Sequence, residues 1–402
     1  MTTLDPIDAK KISAALTRIA PSRTNAMTDY AIALRATGRD IISLSVGEPD
    51  FPTPDHVKVA AKAALDADDT RYTAVSGTAA LREASALHFR RDLGIDASPG
   101  QIIVSAGGKQ AIFQALLATL DPGDDVLIPA PWWVSYPEIV RFAGANVVAL
   151  QTNAAGGFRI TPEQLDAAIG PRTRWLLLNS PGNPTGAVYS AADLAALGDV
   201  LRRHPHVLVL SDDIYAPLRY TPGGHATLAV VAPDLGAPDL TGRILTVSGV
   251  SKSHAMTGFR IGVATGPAWL IGAMGKLQSH NSGNPCSISQ AAAVAAFNGS
   301  QDFLTDWRAR FRARRDRVVA AINAIPGLST PVPDGAFYCM IDAAPLIGRF
   351  GDDEGLVMHL LDHGVAVVAA SAFGGSDGFR ISFAADEAKL DSAIARIAGA
   401  LA

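Results

Sequence analysis

The sequence is poor in cysteine, has no long uninterrupted apolar stretch and carries no excess of either charge. Its two cysteines, Cys286 and Cys339, are too few for a disulfide framework and are typical of a protein from a reducing compartment. Glycine, proline and charged residues interrupt each hydrophobic segment before it reaches the ~20 apolar residues that a membrane-spanning helix needs. The 34 Lys and Arg nearly balance the 38 Asp and Glu, which argues against the strongly basic surface of nucleic-acid or anionic-membrane binders.

Residues 1–11 also lack the apolar core of a secretory signal. We therefore expect a cytoplasmic protein that binds small molecules, with no nucleic acid and no membrane among its partners. The length of 402 residues leaves room for a large domain and a smaller one.

Short apolar runs alternate with longer helical stretches between about residues 100 and 266, and this alternation predicts an α/β fold with a parallel sheet. The predicted strands are 102–105, 126–128, 175–179, 207–210, 244–248 and 261–264, each apolar almost throughout, as in strands that are covered on both faces. A predicted helix over 109–120 joins the first two strands into a βαβ unit and stops at Asp121-Pro122-Gly123.

The last hundred residues have a different pattern. A long helix over 303–325 carries a run of arginines, which we interpret as a solvated face: Arg308, Arg310, Arg312, Arg314, Arg315 and Arg317. Shorter strands over 335–341, 365–369 and 378–383, followed by a helix over 385–401, predict a small α+β domain. We expect an N-terminal segment (1–45) packed on that domain, a large domain (46–298) and the small C-terminal domain (299–402).

Ligands of open α/β sheets bind at the carboxyl ends of strands, so the residues after each predicted strand are candidates. The first strand runs into Ser105-Ala106-Gly107-Gly108-Lys109, a glycine-rich helix start that can bind an anion, although a tight turn is an equally ordinary explanation. Gln110 follows Lys109 where a Walker A motif needs Ser or Thr, and no strand leads into G-x-G-x-x-G. Both absences count against a nucleotide-binding enzyme.

Three further strands end in polar residues that could carry chemistry. Asn183 lies in a proline-rich turn, Asp212 follows a strand with Tyr215 three residues on, and Lys252 follows another with Arg260 eight residues on. Taken singly, these could be a turn, a helix cap and a solvated lysine.

Together, the motifs resemble class I aminotransferases of fold type I in order and spacing, over about residues 19–401. Within this class, the chain resembles the bacterial aspartate aminotransferases in particular. It implies a mainly parallel, seven-stranded sheet in the large domain. The matching segments are Val46-Gly47-Glu48-Pro49-Asp50-Phe51, Gly107-Gly108-Lys109-Gln110-Ala111, Pro131-Trp132-Trp133-Val134-Ser135-Tyr136-Pro137, Asn183-Pro184-Thr185-Gly186, Ser211-Asp212-Asp213-Ile214-Tyr215, Ser251-Lys252 with Arg260, and Phe379-Arg380-Ile381-Ser382.

The family resemblance implies pyridoxal 5′-phosphate as cofactor, held as a Schiff base by Lys252, which also moves the proton at the substrate carbon. Asp212 would pair with the pyridinium nitrogen, and Asn183 and Tyr215 would bind the 3′ oxygen. Trp133 would stack on the ring. The phosphate would be bound by Gly107, Gly108, Lys109, Ser251 and Arg260, and by Tyr72 of the second subunit of a homodimer with shared active sites. Ser248 fits less well, since the family hydroxyls match positions 249 and 251.

For the substrate, the resemblance implies that Arg380 grips the α-carboxylate, helped by Gly47, Asn183 and Trp133. Lys109 and Thr24 would bind the second carboxylate of aspartate. Because a lysine is a point charge, we expect loose discrimination against neutral or aromatic side chains. Arg23, Asn25 and residues 279–285 depart from the family pattern and could reshape this pocket.

We therefore expect an aminotransferase with a ping-pong mechanism, with aspartate and 2-oxoglutarate as the favoured pair. The alternatives are an aromatic, prephenate or broad-range aminotransferase, and another reaction on the same scaffold, such as a β-lyase or racemase. A non-catalytic regulator is disfavoured by the intact Lys252, Asp212, Arg260 and Arg380. No metal is expected.

Overall fold

The computed structural model describes residues 11–235 and 238–402. These residues form twelve strands: β1 (Ile42–Ser43), β2 (Ile102–Ser105), β3 (Asp125–Ala130), β4 (Asn146–Gln151), β5 (Thr173–Asn179), β6 (Leu208–Asp212), β7 (Ile244–Gly249), β8 (Gly262–Thr265), β9 (Tyr338–Asp342), β10 (Val365–Ala366), β11 (Val368–Ala369) and β12 (Gly378–Ser382). Residues 1–10, which belong to the predicted N-terminal segment, lie outside the described residues.

The described residues also form sixteen α-helices: α1 (Ala14–Thr17), α2 (Arg23–Ala36), α3 (Asp55–Asp66), α4 (Ala79–Leu93), α5 (Gly108–Leu117), α6 (Ser135–Ala143), α7 (Pro162–Ala168), α8 (Ala191–Arg202), α9 (Leu228–Asp234), α10 (Pro238–Thr241), α11 (Ala268–Asn281), α12 (Ser287–Asn298), α13 (Phe303–Asn323), α14 (Ala344–Ile347), α15 (Asp353–Asp362) and α16 (Glu387–Leu401). Within the described ranges, no helix is both long and apolar enough to cross a membrane.

Seven strands form the central sheet in the order β2-β8-β7-β6-β5-β3-β4. Strand β8 is antiparallel to both of its neighbours, and the other six strands run in one direction. This confirms the predicted α/β fold with a mainly parallel sheet. All six predicted strands occur. Strand β4 was not predicted, although it contains the apolar run Val147-Val148-Ala149-Leu150; it is an edge strand and mostly exposed or half-buried.

Alternation along the central strands fills two cores, one on each face of the sheet. Leu177 and Leu210 pack with α5 and α6 on one face. Their neighbours Leu176 and Val209 pack with α8 on the other. Because successive side chains of a strand point to opposite faces, a continuous apolar run is what a doubly covered sheet needs.

The C-terminal part is built on the antiparallel sheet β11-β12-β9, with α13 and α16 packed in the same core. Strand β1 pairs in parallel with β10, and Ala31 of α2 is buried beside Leu361 and Ala366. These contacts join the N-terminal residues to the C-terminal part. The division at residues 45 and 298 stays a prediction.

The solvated arginine face predicted for α13 is wrong for two of its six members. Arg314 is only 4% exposed in its side chain and forms two hydrogen bonds, of 2.8 and 2.9 Å, with the carboxylate of Asp50. Arg315 is also buried and donates to the carbonyl of Pro333 at 2.9 Å. Both lie three or four residues from Phe311 and Val318, so they share the apolar face of the helix rather than its polar face.

Candidate active site

A cavity of about 380 Å³ lies where the carboxyl ends of β5, β6 and β7 meet the start of α5 and the antiparallel sheet. Twelve of the fourteen residues predicted to bind cofactor or substrate line it: Thr24, Gly47, Gly108, Lys109, Trp133, Asn183, Asp212, Tyr215, Ser251, Lys252, Arg260 and Arg380. Gly107 lies just outside the wall. Tyr72 is the other exception, because its side chain is 98% exposed and lines no part of the cavity.

The glycine turn before α5 forms a close fit with an arginine. Gly107 has φ of 87°, and a Cβ built there would lie 2.3 Å from Nη2 of Arg260. Glycine is therefore required both by the backbone conformation and by the space. No side chain caps α5, so the N–H groups of its first turn, a positive dipole end, face the same region as the guanidinium. This corner of the cavity is suited to a phosphate or another anion.

Lys252 lies directly beyond β7, and its amine donates a hydrogen bond of 2.5 Å to the carbonyl of Gly47. Removal from water lowers the pKa of Lys252 to about 8, with the nearby guanidinium groups acting in the same direction and Glu48 opposing them. A lysine with a lowered pKa is more often neutral near neutral pH than an exposed one. The neutral amine is the form that attacks a carbonyl carbon.

Asp212 ends β6 and is held by a residue for which the sequence indicated no role. The hydroxyl of Tyr136, on α6, donates to Oδ2 of Asp212 at 2.6 Å, and the amide of Ile214 donates to Oδ1 at 3.3 Å. Burial raises the pKa of Asp212 to about 6, while the hydrogen bond from Tyr136 acts in the opposite direction. A buried carboxylate at this position is arranged to pair with a cation in the cavity.

Tyr338 is a second wall residue that was not predicted. Its hydroxyl lies 2.8 Å from the hydroxyl of Tyr215, and its ring lies 4.6 Å from the guanidinium carbon of Arg380. A Cβ on Gly47 would lie 2.5 Å from the Tyr338 hydroxyl, so the glycine is needed for this close approach. The ring of Tyr338 therefore contacts three of the predicted site residues at once.

Arg380 enters the cavity from the middle strand of the antiparallel sheet. Its Nη1 donates to Oδ1 of Asn183 at 3.0 Å, and its Nη2 donates to the carbonyl of Ser45. The buried Nε has no hydrogen-bond partner among the described residues. A guanidinium held at two points and lining the cavity can bind a carboxylate with two hydrogen bonds.

Lys109 is a further cation of the cavity wall. Nζ of Lys109 lies 5.0 Å from the centre of the Trp133 ring, and burial together with Arg260 lowers the pKa of Lys109. Thr24 and Asn25 also line the cavity. Arg23 lies outside the wall and is paired with Glu354 at 2.7 Å.

The two serines near the phosphate corner differ in position. Ser251 lines the cavity, as predicted. Ser248 does not, because its hydroxyl is buried and hydrogen-bonded to Nε2 of His88 at 2.9 Å. The weaker candidate from the sequence is therefore the one that the structure leaves out.

The donor set fits pyridoxal 5′-phosphate. Arg260 and the start of α5 match a phosphate, the amine of Lys252 matches an aldehyde, and the carboxylate of Asp212 matches a protonated ring nitrogen. The described residues contain no group of three or more His, Cys, Asp or Glu side chains arranged to hold a metal ion.

Residues 39–397 match the family described as "Aminotransferase class I and II". An aspartate/prephenate aminotransferase of Cereibacter sphaeroides is 49% identical over 394 residues, which cover 96% of this chain and 97% of that relative. An aspartate aminotransferase of Rhizobium meliloti is 49% identical over 378 residues, with 92% and 91% covered.

Solved structures give the same result. An aspartate aminotransferase from Rhizobium meliloti superposes with a TM-score of 0.91 at 46% identity, over 97% of this chain and 98% of that one. The aspartate aminotransferase of Thermus thermophilus with maleate superposes with a TM-score of 0.91 at 41% identity, over 97% and 99%.

Proposed function

Because the chain belongs to the class I and II aminotransferase family, and is therefore an enzyme that transfers amino groups, we propose that it moves the amino group of L-aspartate to 2-oxoglutarate. The cofactor is pyridoxal 5′-phosphate, and its lysine is Lys252. The mechanism is ping-pong, so the donor leaves before the acceptor binds. This proposal rests on one observation: a lysine, a buried carboxylate and two arginines of complementary chemistry line a single cavity.

When bound, pyridoxal phosphate supplies an aldehyde that condenses with amines and a pyridinium ring that withdraws electrons from the substrate Cα. Lys252 would hold this group, and its amine would also move the proton at the substrate Cα. The lowered pKa of Lys252, about 8, supports both tasks because the amine must act in its neutral form.

Asp212 keeps the ring nitrogen protonated, and Tyr136 keeps Asp212 in position. The hydrogen bond of 2.6 Å from Tyr136 favours the ionised carboxylate against the effect of burial. Asn183 and Tyr215 bind the 3′ oxygen, and Trp133 covers one face of the ring. Gly107, Gly108, Ser251 and Arg260 bind the phosphate.

Arg380 binds the α-carboxylate of the substrate together with Gly47 and Asn183. Lys109 and Thr24 bind the side-chain carboxylate, since both line the cavity and Lys109 brings a cation to its wall. The solved relative with maleate, a compound with two carboxylates, supports a dicarboxylic substrate.

An aromatic or prephenate substrate is the second candidate. The relative from Cereibacter sphaeroides carries both aspartate and prephenate in its name. Nζ of Lys109 lies over the Trp133 ring rather than in a salt bridge, so the cation can move aside for a larger or neutral side chain.

The active unit is a homodimer in the cytoplasm, with Tyr72 of each subunit reaching the phosphate of the other. The 98% exposure of the Tyr72 side chain supports this arrangement, because so large a ring is seldom left in water without a partner. The division into residues 1–45, 46–298 and 299–402 belongs to the same proposal.

The test is the donor profile of the purified, cofactor-loaded protein. Aspartate should bleach the visible band of the lysine-bound cofactor, and 2-oxoglutarate should restore it. Lys109→Gln should lower kcat/KM for aspartate by ~10–100-fold but leave phenylalanine nearly unchanged, because a hydrogen bond to a charged group contributes ~1.5–3 kcal/mol.

Lys276→Gln, on the exposed side of α11, is the matched control and should change neither donor. Pyruvate release from amino acids without any 2-oxo acid would contradict the transfer reaction. Equal losses for aspartate and phenylalanine in Lys109→Gln would contradict the role of Lys109.

A further inference from the structure

A second cavity, of about 440 Å³, adjoins the residues of the candidate active site but shares no wall residue with it among the described residues. Ser253 in its wall directly follows Lys252, and Ala216 directly follows Tyr215. The other walls are the end of α4, the loop over 219–225 and the start of α13. Nothing in the proposed reaction uses this second cavity.

The wall of the second cavity is positively charged. Arg91, Arg219 and Arg308 line it, and Asp92 is the one carboxylate of the described residues that does so. Asp92 already accepts hydrogen bonds from Arg91 at 2.7 Å and from His88 at 2.6 Å, which hold its pKa well below its usual range despite burial. The excess positive charge therefore remains for a ligand.

Arg308 is the arginine with the most donors to spare. Its recorded hydrogen bond is one of 3.2 Å to the hydroxyl of Thr305, and no carboxylate in the described residues pairs with it. Arg219, in contrast, donates to Thr221 and to the carbonyls of the adjoining loop, which fixes its position. Arg308 can therefore turn to a bound anion at little cost in lost contacts.

His225 gives the second, independent indication of a ligand. Its side chain lines the cavity and is only 4% exposed, yet neither ring nitrogen has a hydrogen-bond partner in the part of the chain that is described. Nε2 lies 3.4 Å from Oδ1 of Asp213 without hydrogen-bond geometry. A buried imidazole in this state costs free energy, and a ligand that bonds to it removes that cost.

We propose that this second cavity is an effector site for a small oxyanion, bound by Arg308 and His225. A metal ion is a poorer fit, because no group of three or more possible ligand side chains is found in the described residues. The neutral state of His254, whose pKa burial lowers to about 3, leaves the guanidinium groups as the main cations of the site.

The site is placed to influence the candidate active site. Asp213 directly follows Asp212 at the end of β6 and is 1% exposed. A movement of His225, which lies 3.4 Å from Asp213, therefore changes the surroundings of the Asp212 carboxylate. The effect on turnover rests on the proposed function, whereas binding of the anion does not.

Binding is tested by calorimetry on the cofactor-loaded protein, with inorganic phosphate as the probe and sodium chloride added to hold ionic strength constant. The cofactor already occupies the phosphate corner of the active site, so that corner does not compete. We expect one phosphate per chain, with Arg308→Gln weakening binding by ~10-fold or more, because a hydrogen bond to a charged group is lost.

Arg312→Gln is the matched control, since Arg312 is exposed on the same helix and lines neither of the two cavities. It should bind phosphate like the unchanged protein. His225→Leu should also weaken binding. Absence of binding in the unchanged protein, or equal affinity in Arg308→Gln, overturns the site.

The effector role is tested by turnover at saturating donor. Phosphate should change the rate in the unchanged protein and in Arg312→Gln, but not in Arg308→Gln, whose rate without phosphate stays normal. Inhibition that competes with the amino donor and persists in Arg308→Gln means that phosphate acts at Arg380 instead, which overturns the effector role. So does binding without any change in rate.

Discussion

The candidate active site has two walls of different construction. The sheet-edge wall, defined by Gly108, Asp212, Lys252 and Arg260, follows the strands of one seven-stranded sheet. The outer wall, defined by Thr24, Gly47, Tyr338 and Arg380, comes from the N-terminal residues and the antiparallel sheet. The proposed cofactor roles fall on the first wall and most of the proposed substrate roles on the second. On this proposal, the sheet carries the chemistry that the family shares, and the segments that pack against it determine specificity.

Asn183 and Tyr215, which follow β5 and β6, belong to the sheet side of the cavity. Among the described residues, three hydrogen bonds join this side to the outer wall. Lys252 donates to Gly47, Tyr215 and Tyr338 share a hydrogen bond, and Arg380 donates to Asn183. Each of these uses a group that is proposed to bind cofactor or substrate. Cofactor or substrate must therefore displace these hydrogen bonds when it binds. Because the same bonds hold the two walls together, the distance between the walls depends on whether the site is occupied.

The largest effect on activity is expected from removing the guanidinium of Arg380 from the outer wall. Arg380→Leu should lower kcat/KM for aspartate by ~10²–10⁴-fold, because removing one member of a buried charged pair costs ~3–5 kcal/mol. The visible absorbance of the bound cofactor should stay, since the sheet-edge wall is intact. Loss of the cofactor in Arg380→Leu would show that the two walls do not divide the work in this way.

A smaller effect, on stability, is expected in the sheet-edge wall. Burial raises the pKa of Asp212 from 3.8 to about 6, so the protonated form is favoured in the folded protein. The stability that depends on this group is therefore fully present below about pH 4 and is lost as pH rises through about 6. In the cofactor-free protein, the total loss of unfolding free energy, which is complete above pH 6, amounts to ~3 kcal/mol at most.

Asp212→Asn should accordingly raise the free energy of unfolding of the cofactor-free protein at pH 8 but not near pH 4, as measured by urea unfolding at each pH. The gain should shrink when cofactor is bound, because the carboxylate then has a cation as partner. A cofactor-free variant that is less stable at pH 8 would contradict the account of Asp212.

The smallest effect is expected at Tyr136, which acts through Asp212. Tyr136→Phe removes the hydroxyl that favours the ionised carboxylate, so the pKa of Asp212 should rise further. We expect kcat to fall by ~10-fold, in line with the loss of one hydrogen bond to a charged group, with KM for aspartate nearly unchanged.

The pH dependence of the cofactor absorbance should shift in Tyr136→Phe. It should not shift in Tyr189→Phe, a buried tyrosine whose hydroxyl accepts from the amide of Ile160. A variant that loses KM rather than kcat would show that Tyr136 serves the substrate and not Asp212.

The sheet-edge wall could be predicted because its residues follow apolar strands that are legible in the sequence. Asp212 ends one such strand and Lys252 lies three residues after another, and parallel strands bring their carboxyl ends to one edge. Their neighbour Tyr136 was missed as a functional residue because it lies on a helix 76 positions from Asp212, and only the folded sheet brings them together.

In the outer wall, the family resemblance predicted Thr24, Gly47 and Arg380, and all three line the cavity, whereas Tyr338 was missed for a related reason. Tyr338 lies in an apolar stretch that is ordinarily interpreted as core packing, and its contacts with Tyr215 and Arg380 span 123 and 42 positions of the chain.

The solvated face predicted for the arginine run of α13 was wrong for Arg314, because its partner Asp50 lies 264 residues away. Local pattern indicates which residues are helical, but tertiary contacts decide which of their charges are buried.

The most direct test of the whole account is to trap the cofactor on the protein. Borohydride treatment of the cofactor-loaded chain, followed by proteolysis and mass spectrometry, should find pyridoxyl phosphate on the peptide that contains Lys252. Lys252→Ala should carry no such label and should not exchange amino groups while remaining folded. A label on another lysine, or normal turnover by Lys252→Ala, would contradict the central claim.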